Sequence, residues 1–499
     1  MFSRIAHIVR LFAAGAAVAC ACACECAGAL DDVGARAQTR TPPPALARPQ
    51  PRPPAPPADI PAPGFTQVLQ SEFPERKFPG LQEILHQGLL DGPTILMSQW
   101  NAAAAAQDAR GYGGRASLLP SVSGYLQYGP TYEQHQGDGA QNRSLTALIY
   151  YVSFYQPVYQ WNVMTNNYQI KQLAQAMSER NITETRRLLA IDIRRRYFDI
   201  ILTANALDLA RKNMERFERD HKETEQAIAD GTLAAGAIDG PNQSIQHAKP
   251  EIMNLENTLA SLKQSLAQVT GLPESTIDKI PDEIPALPEA ELHDALSALS
   301  APASLPPSSN LQNQGDNARI AQLILANDKK RLYPRFGINL NVAEQSRTAN
   351  YTNEGTRYVF TTWSALVQVD WTLFDGFGAQ AARRASVERL KAAEANRSLT
   401  EKQEGNDRRA EVAALQVRWE QLLNTERDLA RTRGSMELTE QDFKNGTASA
   451  RQAEDTRVAY ENTLRGVNGA YSARADFYMA LVKCLSDRGQ DPVIMALQQ

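Results

Sequence analysis

The residues able to do covalent or metal chemistry are few, and their spacing does not suit it. Four of the five cysteines, Cys20, Cys22, Cys24 and Cys26, alternate with Ala or Glu, close to a metal-binding or disulfide pattern. No histidine cluster accompanies them, and His86, His135, His221 and His247 stand apart, so no zinc-type donor set is expected. There is no Gly-x-x-x-x-Gly-Lys loop to cradle nucleotide phosphates, and no Gly-x-Ser-x-Gly elbow to present a nucleophile. Asp375-Gly376-Phe377-Gly378 is glycine-rich but lacks phosphate-loop spacing, and it falls where a strand gives way to a helix. These absences predict a protein that is no enzyme and uses no cofactor or metal.

The first thirty residues bear on the cysteines. Arg4 and Arg10 precede an apolar, small-residue core at 11–19, and Ala27-Gly28-Ala29 offers the small residues a signal peptidase reads, so 1–29 reads as a signal peptide. Cleavage there would remove four cysteines and leave Cys484 alone, with no disulfide. Ala17-Val18-Ala19-Cys20 also resembles a lipobox without its usual leucine, which makes Cys20 a lipidation candidate. Residues 30–77, with PPP, RPQPRPPAPP and PAP, read as a proline-rich linker, and the fold is expected to begin near Phe78. A net charge of −4 shows no basic stripe for nucleic acid, so no nucleic-acid partner is expected. A mean hydropathy of −0.41 excludes a bundle of membrane-spanning helices but not a β-barrel, whose strands alternate.

The elements that position everything else come in two copies. Val152 to Tyr159 align with Val367 to Phe374, and Asp230-Gly231-Thr232 with Asn445-Gly446-Thr447, both at a shift of 215, while Leu119-Pro120 matches Tyr333-Pro334 at 214. A first repeat at 78–280, a proline-rich connector at 281–309, a second repeat at 310–486 and a tail at 487–499 follow. Each repeat runs helix, two strands, long helix, Gly-Thr, long helix. Phe336, Ile338, Leu340 and Val342 alternate with Arg335, Gly337, Asn339 and Asn341, which is the period of a half-buried strand. Val359, Trp363, Val367, Val369 and Trp371 do the same in the next segment, and Tyr358, Trp363 and Trp371 would suit the aromatic girdles of a membrane barrel. The polar stretches 133–143 and 347–355 read as hairpin tips. A soluble sandwich fits less well, because each copy offers two strands and a lone hairpin is marginal in water. Leu415, Leu422, Leu429, Met436 and Phe443 recur every seven residues, matched in the first copy by Ile200, Leu207, Met214, His221 and Ile228. That is coiled-coil spacing, and its continuation after Gly-Thr at Val467, Phe477, Leu481 and Cys484 places Cys484 on a packed seam.

Taken together, Leu119-Pro120-Ser121-Val122, the strand end QPVYQWN, its partner WTLFDGFG and the Asn445-Gly446-Thr447 turn resemble the TolC-like outer membrane efflux protein family over residues 81–486. The resemblance implies an α+β membrane protein in which four strands per protomer build a trimeric twelve-stranded outer-membrane β-barrel that continues into a long periplasmic α-helical coiled-coil barrel. It implies an exit duct for drug or solute efflux or type I protein secretion. The implied partners are two further copies of the chain, a periplasmic adaptor (membrane fusion) protein, an inner-membrane pump or ABC transporter, and outer-membrane lipid. The family's helix tips meet the adaptor, which makes Gly231, Thr232, Gly446 and Thr447 docking candidates; a longer turn is the plainer account of the first tip, where Gly236, Gly240 and Pro241 should break or bend the helix. The family commonly carries two aspartates, three residues apart, at the second tip. Asp455 matches one, while Gln452 stands in place of the other, so both are pore-gate candidates; a solvated charge on a helix turn is the alternative for Asp455. A periplasmic coiled-coil scaffold without a pore would explain the heptads but not the strands, and a surface adhesin is a third reading.

Overall fold

The computed structural model describes residues 73–111, 113–133, 143–277, 280–289, 292, 296, 307–351, 354–444 and 450–497, with backbone alone at 131–133, 143–145, 347–351, 354–358, 443–444 and 450–457. Helices α1 (Pro79–Asp91) and α2 (Pro93–Arg110) both open on a proline, whose missing N–H costs nothing in a first turn. Then come β1 (Ser121–Glu133), β2 (Arg143–Tyr159), α3 (Val163–Ala229) and α4 (Asp239–Thr270). The second half repeats the order with α5 (Ser309–Asp328), β3 (Arg335–Tyr351), β4 (Glu354–Asp370), α6 (Gly378–Lys444) and α7 (Ala450–Asp487). Ser308 caps α5, its Oγ accepting the Leu311 N–H at 3.1 Å.

The repeat is close to metric. Helices α3 and α6 are each 67 residues long, and both their first and their last residues stand 215 apart. At about 1.5 Å per residue each spans roughly 100 Å. Ser121 faces Tyr155 and Arg335 faces Asp370, so the first strand shifts by 214 and the second by 215. Even the strand-to-helix corner is copied: Trp161 and Asn162 have positive φ, as do Gly376 and Phe377.

The strands form one antiparallel sheet ordered β1-β2-β3-β4. The stretch 347–355, expected as a hairpin tip, is largely strand: β3 and β4 pair out to Tyr351 and Glu354. Continued cross-strand hydrogen bonding outweighs the polar composition that suggested a loop. The matching stretch 134–142 lies outside the described residues.

Seam residues are buried at mid-helix, among them Ile200, Leu207, Leu415, Trp419, Leu422 and Leu429, and Met214, His221 and Met436 become half-exposed toward the tips. Around that midpoint two apolar clusters gather segments from distant parts of the chain. One joins Phe78, Leu81 and Leu85 to Ile193, Tyr197 and Ile201, together with Ile284 and Ile494. The other joins Phe73, Leu292 and Leu296 to Leu415, Trp419, Phe477 and Leu481. Three segments expected as linker, connector and tail therefore contribute to the packed fold. Phe73 and a single helical turn at Pro74–Lys77 are packed in, and so is Ile494 of the turn Pro492–Ala496. Apolar residues in otherwise polar or proline-rich sequence cover the helix waist. Cys484 sits in the second cluster, where burial pushes its thiol up to about 11, as befits a small core residue.

Candidate functional site

The sheet has two different faces, set by its period of two. On one face the register aligns Val122, Phe154, Leu340 and Ala365, and beside them Val152, Val342 and Trp363. Much of this apolar face is open: Leu126, Tyr128, Trp363 and Val367 are all more than 60% exposed. An apolar surface of this size on one side of a lone sheet is what hydrocarbon, rather than water, would cover.

The opposite face carries a directional hydrogen-bond ladder. Ser153 Oγ donates to Asn339 Oδ1 at 3.1 Å, Asn339 Nδ2 donates to Gln368 Oε1 at 3.4 Å, and Gln368 Nε2 donates to Asp370 at 3.0 Å. The acceptor-only carboxylate at its end fixes the sense of the chain. Gly337 belongs to this face because a Cβ there would lie 2.5 Å from the Tyr155 ring.

Where the sheet meets the helices the rings change in kind. Tyr159 and Trp161 lie 5.0 Å apart, Trp161 and Tyr333 5.1 Å, and the Trp161 indole donates to the Pro334 carbonyl at 2.7 Å. At the second corner Trp371, Leu373, Phe374 and Phe377 are exposed. Aromatic rings beside an apolar band are the signature of a membrane–water boundary.

Midway along α3, Arg194 is wholly buried and binds Asp491 through both terminal nitrogens, at 2.6 and 3.0 Å, and Glu75 through a further ion pair. Burial works to raise the Asp491 carboxyl, but the Arg194 charge and hydrogen bonds from Arg194, Ser486 and the Val493 amide hold it below its usual range. Burial raises Glu75, and Arg194 offsets only part of that. One heptad earlier Arg187 pairs with Asp487 and with Glu184. These residues border a cavity of about 380 Å³, also lined by Glu404, Arg408 and Glu411. Burial, then the hydrogen bond and charge of Asp487, push Glu411 up to about 8, with Lys483 working against them. Sequence reasoning missed this cluster. The signal was available: Arg194 lies among Ala190, Ile193, Tyr197 and Ile201, on the one face of an arginine-rich helix that is otherwise apolar.

The tip candidates fall at the far end of the helices. Gly231 ends α3 in the left-handed region at φ +71, and the Thr232 N–H and Oγ both donate to the Ala227 carbonyl, at 2.9 and 2.7 Å. Helix α4 resumes at Asp239 after a turn of 3₁₀ helix at Ala235–Ile238. The break expected at this tip is there, between Ala229 and Asp239, and Gly240 and Pro241 sit in the first turn of α4, where proline displaces no intrahelical bond. Asp455 and Gln452 lie in the opening turns of α7, three apart and so one above the other, with side chains outside the description. Gly446, Thr447 and Cys20 lie outside the described residues. Among those residues no group of His, Cys, Asp and Glu is placed to hold a metal, and no helix is long and apolar enough to cross a membrane.

Comparison with known proteins agrees with this geometry. Residues 317–485 match the outer membrane efflux protein family. No curated protein sequence matches the chain. Among solved structures, the outer membrane protein VceC of Vibrio cholerae aligns at 13% identity and TM-score 0.60, over 83% of this chain and 97% of that one. A membrane protein from Pseudomonas aeruginosa aligns at 15% identity and TM-score 0.64, over 89% and 97%. The CmeC outer membrane channel of Campylobacter jejuni aligns at 10% identity and TM-score 0.64, over 83% and 86%. At these identities the likeness is one of fold.

Proposed function

We infer that this chain, which carries an outer membrane efflux protein domain over residues 317–485, is the exit duct of a tripartite export system. It sits in the outer membrane and reaches into the periplasm. The observation that carries this reading is the single four-stranded sheet with an open apolar face, mounted on helices of 67 residues. Its outer strands β1 and β4 have no further neighbour among the described residues. Edges left open on an apolar sheet favour closure with other copies, and three copies would close a twelve-stranded barrel.

The helices then continue the tube through the periplasm. The turn at Gly231 and Thr232, with its counterpart at Gly446 and Thr447, is the docking point for a periplasmic adaptor protein. An inner-membrane pump or ABC transporter supplies the energy, since the chain offers no nucleotide site of its own. Asp455 and Gln452 form the gate at the periplasmic end. One duct of this design serves drug and solute efflux or type I protein secretion alike. Cys20 is acylated if it survives processing.

The test is fractionation followed by mass measurement in detergent and recording in planar bilayers. A trimer from the outer membrane that migrates differently before and after heating, and conducts in steps, is expected. A soluble monomer without conductance would return the chain to the scaffold reading. Susceptibility of a deletion strain to small toxic solutes, against retention of a secreted protein, separates the two cargoes.

A further inference from the structure

We propose that β4 of one copy pairs with β1 of the next in a single register, Val367 opposite Tyr128 and Val369 opposite Leu126, extending β4 to Phe374. The inference rests on the multi-copy barrel of the preceding subsection and adds to it which residues meet.

The argument is quasi-equivalence. Within one chain β2, the last strand of the first repeat, pairs with β3, the first strand of the second. Between copies β4 and β1 stand in that same relation. Moving Val152↔Val342 by the observed shifts, 215 for the second strand and 214 for the first, yields Val367↔Tyr128. Moving Phe154↔Leu340 yields Val369↔Leu126. The two shifts differ by one residue, and that difference matters. With a common shift Val367 would face Gln127, setting an apolar side chain against a polar one, because a one-residue slip exchanges the faces. The derived register keeps apolar opposite apolar along both edges.

Three further observations converge on it. First, β1 covers β2 only as far as Tyr155, yet β2 continues to Tyr159 because β3 pairs with it there. The β4 strand stops at Asp370, where β3 stops covering it. Its next residues, Trp371 to Phe374, correspond to Gln156 to Tyr159, lie outside any strand and leave Trp371, Leu373 and Phe374 at least 61% exposed. Second, Tyr159 faces Phe336 with ring centroids 6.5 Å apart; its copy Phe374 would face Val122, itself 65% exposed. Third, Gln156↔Ile338 maps to Trp371 opposite Gly124, and nothing lies within 4 Å of a Cβ built on Gly124. An indole fits over a bare glycine on a sheet edge.

Disulfide trapping tests the register in the full chain with every native cysteine except Cys20, which offers no free thiol once acylated or removed, replaced by alanine. Facing residues across antiparallel strands have Cβ atoms about 5 Å apart, within disulfide reach, whereas diagonal neighbours are about 7–8 Å apart. Mild oxidation of membranes carrying Val369→Cys with Leu126→Cys should yield covalent dimers and trimers, at least about fivefold more than Val369→Cys with Gly124→Cys or Tyr128→Cys. Val367→Cys with Tyr128→Cys should behave like the first pair. Phe154→Cys with Leu340→Cys must close within one chain and shows that such variants fold. A trimer by mass whose best cross-link falls at another register overturns the pairing and leaves the duct standing. A monomer by mass overturns the duct reading itself.

Discussion

Arg194 ties three segments of the chain together at the waist. It is wholly buried with two carboxylates and ties segments 119 and 297 residues away in sequence to the middle of α3. Breaking a buried ion cluster by removing one partner costs about 3–5 kcal/mol, since the remaining charges stay desolvated. Arg194→Met should lower unfolding stability by about that amount at neutral pH, read by denaturant titration in detergent. The loss should shrink in acid. Without Arg194, both Glu75 and Asp491 are relieved by protonation, whereas in the native protein Asp491, held below its usual range, gives up stability as pH falls. Glu411 titrates in the opposite sense. Its folded value of about 8 stands above the ordinary 4.5, so its contribution is full below 4.5 and lost as pH rises through about 8. Arg187 and Lys483 face it with Asp487 and Glu184, so both signs of charge remain once it ionises. Glu411→Gln should flatten the decline in melting temperature across that interval; an unchanged profile would mean the carboxyl pair holds no proton there.

At the scale of elements, much was written in local pattern. Heptads at Leu415, Leu422 and Leu429 announced α6, and the alternation from Phe336 to Val342 announced β3, because helix and strand periods are properties of neighbours in sequence. The waist was not legible in that way. Phe73, Ile284 and Ile494 come from three segments whose composition reads as linker, connector and tail, and only the tertiary fold brings them onto the helices. The strand ends differ from local pattern for a related reason, since polar residues at 347–351 remain in a strand whose partner supplies the hydrogen bonds. The tip shows the reverse case, in which a local signal had a local cause. Gly231 ends α3 because its φ of +71 suits a residue without Cβ, and Thr232 satisfies the Ala227 carbonyl. Gly231→Val should cost about 1–2 kcal/mol, spent in the last turn of α3. Amide exchange there should quicken while exchange at the waist stays unchanged. Equal quickening at both would show that the tip and waist unfold together.

For the whole molecule, the duplication does more than repeat a fold. In the proposed assembly it makes the internal β2–β3 contact a template for the external one, and it sets the turn from α3 to α4 and the passage from α6 to α7 at the end of the helices away from the sheet. The shift of 215, and the 214 at Leu119-Pro120 and Tyr333-Pro334, were both readable from landmarks; the strand register agrees with that difference of one residue. The second tip is where conduction would be controlled. Asp455 lies in the opening turns of α7, and three copies would bring three carboxylates together at the mouth of the tube. A ring of like charges in a narrow passage favours cations and repels anions. With Gln452 three residues before it, the proposed trimer would carry one acidic ring where a second aspartate would make two. Asp455→Ala should therefore shift the reversal potential under a salt gradient toward anions and weaken block by multivalent cations. Gln452→Asp should do the opposite and deepen that block. These paired, opposite shifts separate a gate from a solvated surface charge, which would leave reversal potential and block where they were in both variants.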